Sequence, residues 1–142
     1  MKTVFIKPAE VERKWFVIDA EGKALGRVAA KAAAIVRGKE KAIFAPHQEI
    51  GDYVVVVNAE KVAVTGQKAR DKMYYHHTGY VGGLKSQSFE KLIARHPTYP
   101  VALAVKGMLP KGPLGRKLLK NVKVYAGSEH PHRAQNPQVI EF

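Results

Sequence analysis

Two five-residue runs, "WFVID" (Trp15 to Asp19) and "YVVVV" (Tyr53 to Val57), bracket a stretch of helical periodicity, and nothing else in the chain constrains its fold as tightly. Both runs are continuously apolar, β-branched or aromatic, and each reaches a polar residue, Asp19 or Asn58, at its end. A strand with one face in water would alternate, so these runs predict strands buried on both faces, as in a parallel sheet. Between them, "ALGRVAAKAAAIVRG" places Leu25, Val28, Ala29, Ala32, Ile35 and Val36 on one helical face, with Arg27 and Lys31 four apart on another. Gly38 supplies a stop. Strand, helix and strand in this order predict a βαβ unit with parallel strands and a right-handed crossover, and hence an α/β fold.

Beyond this unit, "NAEKVAVTGQKARDK" predicts a short helix or turn, a short strand and a polar loop. "KMYYHH" (Lys72 to His77) predicts another strand, leading into the glycine-rich "TGYVGG". In "SQSFEKLIARHP", Ser88 is a candidate N-cap, Glu90 falls in the first turn and Pro97 marks the exit of a predicted helix. "TYPVALAVKGML" has Thr98 as a cap candidate and Pro100 near its start, which fits a helix, although its alternation also fits a strand. "GPLGRKLLKNV" predicts a short basic helix with Pro113 at its first position, "KVYAG" a last strand, and 128–142 an irregular tail. At 142 residues the chain is sized for one domain, 1–142, able to bury a single core.

Charge narrows the function. The chain has 24 Lys and Arg against 12 Asp and Glu. Between Lys68 and Lys123 stand twelve cations against only Asp71 and Glu90, so this segment holds ten of the twelve excess positive charges. Cations concentrated in this way repel one another in a folded body, and a polyanionic partner relieves that repulsion. The cations are interleaved with glycines and with Tyr74, Tyr75, His76, His77 and Tyr80. Such a composition suits RNA: cations meet phosphates, glycines let the backbone approach, and rings stack on unpaired bases. Tyr80, set among glycines in a loop, is the better stacking candidate, while Tyr74 fits the core. The stretch 106–123, rich in Gly and Pro, is expected to be a basic arm laid against phosphates.

Other chemistries are poorly supported. "GMLPKG" (Gly107 to Gly112) has the glycine spacing of a phosphate loop, but Pro113 and Leu114 stand where lysine and a hydroxyl residue are needed. His76 and His77, adjacent on a predicted strand, point to opposite faces and cannot easily chelate one ion, and His130 and His132 flank Pro131 in the tail. No serine lies in a nucleophile elbow, and Asp19, Asp52 and Asp71 occupy separate contexts suited to strand ends and turns. The readings are therefore no enzyme, no cofactor, no metal and no small-molecule substrate. With no cysteine, an N-terminal apolar run too short for a secretory signal, and no apolar run of membrane-spanning length, a cytosolic protein without a membrane partner is expected.

Five separated stretches, "DAEGKALGR" (Asp19 to Arg27), "DYVVVVNAEKVAVTG" (Asp52 to Gly66), "YYHHTGYVGG" (Tyr74 to Gly83), "KGMLPKGPLGR" (Lys106 to Arg116) and "KVYAGSEHPHRAQNPQ" (Lys123 to Gln138), resemble the bacterial large-subunit ribosomal protein thirteen family in order and spacing. Departures fall at Gln87, Tyr99 and Pro100. The resemblance implies a three-layer α/β/α fold around a small, mostly parallel central sheet. It also implies a structural protein of the cytoplasmic ribosome that binds large-subunit rRNA, supports early assembly and touches neighbouring ribosomal proteins, with no activity or cofactor. The alternative is a basic regulatory protein acting on mRNA. Candidate RNA-binding residues are Arg27, Lys68, Arg70, Lys72, His76, His77, Tyr80, Lys85, Lys106, Lys111, Arg116, Lys117 and Lys120.

Overall fold

The βαβ pattern of the sequence forms as read. In the computed structural model, which describes residue 3 and residues 5–142, β1 (Trp15–Asp19) and β2 (Tyr53–Val57) are paired in parallel with Trp15 opposite Tyr53 and Asp19 opposite Val57. Helix α1 (Leu25–Arg37) connects them. Its C-cap, Gly38, takes φ 82°, and its N–H donates to the carbonyls of Ala34 and Ile35. At the other end no side chain caps α1; the Leu25 N–H donates instead to the Ala63 carbonyl at 3.0 Å, from the chain that follows β2. The signal reading at the N-terminus includes positions 1, 2 and 4, outside the described residues.

The remaining elements are α2 (Lys68–Asp71), β3 (Met73–His77), β4 (Leu84–Ser88), α3 (Phe89–Arg95), α4 (Tyr99–Met108), α5 (Pro113–Leu119), β5 (Val122–Val124) and β6 (Gln138–Ile140). Strands β5, β2, β1 and β6 form one sheet in that order, every pair parallel. Strands β3 and β4 form a separate antiparallel hairpin.

Alternation along the strands divides the core. Ile18, Val54 and Val56 are fully buried and share one cluster with Val28, Ala32 and Val36 of α1, Val101 and Val105 of α4 and Leu118 of α5. Val17, Val55 and Val57 turn to the opposite face and pack with Trp15 and Tyr125. Each valine removed from water in this way stabilises the fold by roughly 1.5–3 kcal/mol before entropy is counted. The opposite layer is thin. It is built from a stack of rings in which Trp15 lies 4.6 Å from Tyr53 and 5.0 Å from His132, with His130 6.2 Å beyond. The Tyr125 hydroxyl and His132 Nε2 share a hydrogen bond of 2.7 Å that closes the layer. Burial, chiefly, holds the His132 imidazole below its ordinary pKa, with His130 and Lys123 adding to it.

Several local expectations change. The polar loop before β3 contains one helical turn, α2, and the short strand expected after β2 is a single bridge between Ala24 and Ala63. Strand β4 arises where a glycine-rich loop was expected to run on toward a helix, because Gly79 (φ 87°) and Gly82 (φ 70°) turn the chain back on β3. Ser88 and Thr98 occupy N-cap positions, but neither side chain makes a capping bond. Residues 99–108 are helical, which resolves the ambiguity of "TYPVALAVKGML". The tail 128–142 contains a 3-10 turn (Arg133–Gln135) and strand β6, which takes its place beside β1.

Candidate nucleic-acid interface

Residues 106–123, expected as an arm, run through the last turn of α4, a bend, α5 and β5, and they are anchored by buried Leu109, Leu118 and Val122. Apolar residues at these spacings dock the stretch on the body and leave its cations outward. Gly115 is required by this docking, since a Cβ there would overlap the Pro110 carbonyl oxygen. Gly112, at φ 100°, makes the bend into α5. Lys106, Lys111, Arg116, Lys117 and Lys120 are all exposed.

The other candidates come from three neighbouring elements. Lys68 and Arg70 lie on α2, with Lys72 just after it. Lys68 and Lys72 line one hollow with Gly26 of α1 and Gly107 of α4, which brings the beginning of α1, next to Arg27, close to the end of α4, next to Lys106. The Lys68 ammonium donates to Thr65 Oγ1 at 3.2 Å, and that of Lys72 lies 5.6 Å from the Tyr74 ring centroid. His76 faces Lys85 across the β3–β4 ladder. His76 and His77, as consecutive strand residues, alternate in direction; His77 Nδ1 accepts a bond from the Gly79 N–H at 2.9 Å, which orders the hairpin tip. Tyr80 at that tip is 80% exposed. Tyr74 is half-buried against Phe89, and burial raises its pKa.

The electrostatic contrast between the two halves is sharp. Five ion pairs occur among the described residues: Lys7–Glu10, Arg13–Glu49, Lys31–Glu40, Lys41–Asp52 and Lys61–Glu21. Every cation in them precedes Lys68. Of the twelve cations from Lys68 to Lys123, eleven are exposed and Lys123 is half-buried. Among the described residues none of the twelve is paired with a carboxylate of its own chain. Lys117 approaches Glu49 closely enough to help depress its pKa; burial pushes that carboxyl up, but hydrogen bonds from Asn121 and Arg13 and the charge of Arg13 outweigh it.

The aspartates serve the fold. Asp19 Oδ1 accepts from Asn58 Nδ2 at 2.8 Å and from the Glu21 N–H at 3.0 Å, and these bonds hold its carboxyl below the usual range. Asp52 Oδ1 accepts from the Lys14 N–H at 2.9 Å and pairs with Lys41 at 2.7 Å. Sequence reasoning missed a second hollow, this one lined by rings, formed where the hairpin meets α3 and α4. No local pattern signals it: "LKSQS" has a single apolar residue and becomes a strand because β3 lies beside it.

The sequence model described as Ribosomal protein L13 matches residues 13–131. The chain is 71% identical over 141 residues to the large ribosomal subunit protein uL13 of Treponema denticola, covering 99% of each. It is 62% identical over 142 residues to the protein of that name from Hydrogenovibrio crunogenus, covering 100% of each. With that of Treponema pallidum (strain Nichols) it shares 63% identity over 137 residues, 96% of each.

Proposed function

Since the chain belongs to the ribosomal protein L13 family, we propose that it is a structural constituent of the large ribosomal subunit, holding large-subunit rRNA through phosphate contacts and supporting early subunit assembly. It works in the cytoplasm, within the ribosome, beside other large-subunit proteins, and it is not an enzyme. No helix among the described residues is long and apolar enough to cross a membrane.

One observation carries the RNA contact: eleven of the twelve cations from Lys68 to Lys123 are exposed and, among the described residues, none of the twelve is in an ion pair, while the ion pairs lie elsewhere. An ammonium or guanidinium free of carboxylates can displace counterions from phosphate without first giving up a partner. Arg27, Lys68, Arg70, Lys72, Lys85, Lys106, Lys111, Arg116, Lys117 and Lys120 are the proposed phosphate contacts; His76, His77 and Tyr80 at the hairpin meet sugar or base. Side chains cannot read the deep groove of A-form RNA, so selectivity comes from the shape of a junction and from unpaired bases. Sedimentation of the native protein tests the reading. It should travel with the large subunit at moderate salt; recovery on messenger RNA free of subunits would favour the regulatory alternative.

A further inference from the structure

The hairpin β3–β4 meets α3 and α4 around a hollow of about 480 Å³. Tyr74, His76, His96 and Tyr99 line it together with Gln87 and Leu103, and Lys85 is its one Lys or Arg, with no acidic residue. Its size and its ring-rich lining suit a small ligand. Two polar atoms of the lining residues are orphaned. The Tyr74 hydroxyl and Gln87 Oε1 are shielded from water and have no hydrogen-bond partner among the described residues. They belong to residues directly opposite one another on the ladder, which places both on the same face of the hairpin. Buried polar groups are rarely left unpaired, because each such group forfeits its hydration.

We propose that this hollow takes one unpaired nucleobase of the bound RNA, a contact that rests on the RNA-binding reading above. A phenol hydroxyl donates and an amide oxygen accepts; the edge of a base offers the complementary acceptor and donor side by side. Tyr99, 47% exposed although it lines the hollow, supplies a face for stacking. Exposed Lys85 meets the flanking phosphate. Because neither orphaned atom is open to water, the base must displace part of the wall as it enters.

The test compares an octamer of riboadenylate, r(A)8, with an abasic ribose-phosphate octamer of equal charge, both bound to the full chain carrying Tyr80→Ala, so that the hairpin tip does not contribute. The expected preference for r(A)8 is at least tenfold. It should fall below threefold in Leu103→Trp, which fills the hollow, and in Tyr74→Phe with Gln87→Leu, which removes both orphaned atoms. The latter variant should also unfold at a higher temperature when free of RNA, since it no longer buries unpaired polar groups. A guard against misfolding is thereby built in: stability rises while base preference falls. Equal binding of the two octamers, or a preference unchanged in both variants, overturns the proposal and leaves the hollow to a protein neighbour. Sedimentation with the large subunit would still stand in that case, whereas its failure would overturn the RNA reading itself.

Discussion

Neutralising Lys111, Arg116 and Lys117 together isolates the electrostatic contribution of the α5 region. All three are exposed, and none forms an ion pair among the described residues. Each phosphate contact to single-stranded RNA contributes about 0.7 to the slope of log affinity against log salt, so the Gln triple variant should lose about 2 from that slope. Between 50 and 200 mM salt, a slope smaller by about 2 makes the fall in affinity roughly 20-fold shallower. Filter binding to an rRNA fragment at several salt concentrations measures this, with circular dichroism to show that α5 persists. Lys31→Gln with Lys61→Gln is the control. Those lysines already meet Glu40 at 2.6 Å and Glu21 at 3.1 Å, so the slope lost per charge removed should be much smaller. An unchanged slope in the triple variant, or an equal loss per charge in the control, refutes the argument from free cations.

Three further outcomes are expected. Tyr80→Ala, at the exposed tip, should weaken binding of rRNA by about 1–3 kcal/mol without moving the thermal midpoint; unaltered affinity would make Tyr80 an ordinary turn residue. Leu118→Ala empties a fully buried position and should lower stability in urea by about 2–5 kcal/mol; a loss under about 1 kcal/mol would mean that α5 is not anchored through this side chain. The folded pKa of His132 lies below its unfolded value, so its contribution is complete above about pH 6.5 and declines as pH falls, because the unfolded chain takes up the proton first. Chemical denaturation from pH 7.5 down to the folded pKa should show that decline in the native protein and a flatter profile in His132→Gln.

Where a residue pattern carries its own reason, the sequence is legible. Trp15–Ile18 and Tyr53–Val57 are apolar throughout, and α1 shows both an apolar face and a glycine stop. Exposed cations are equally legible, since an excess of one sign without carboxylates nearby in sequence has few partners in its own fold. Strands β4 and β6 are not. "LKSQS" has a single apolar residue, and Gln138–Ile140 is three residues long between Pro137 and the end of the described chain; each is a strand only by virtue of the neighbour it pairs with. The stretch from Lys106 to Lys123 looked like an arm because Gly and Pro punctuate it, yet the buried Leu109, Leu118 and Val122 dock it. The hollow beside the hairpin depends on how α3 and α4 approach β3 and β4, a relation that no local pattern encodes.

The pairing of Gln138 with Phe16 and of Ile140 with Ile18 has a bearing on how the molecule comes into being. Emerging from its own synthesis, the chain presents β1 long before Gln138–Ile140 exist, so that edge must wait, unpartnered, until they are released. Contacts of such long sequence separation form slowly, and a waiting strand is open to the wrong neighbour.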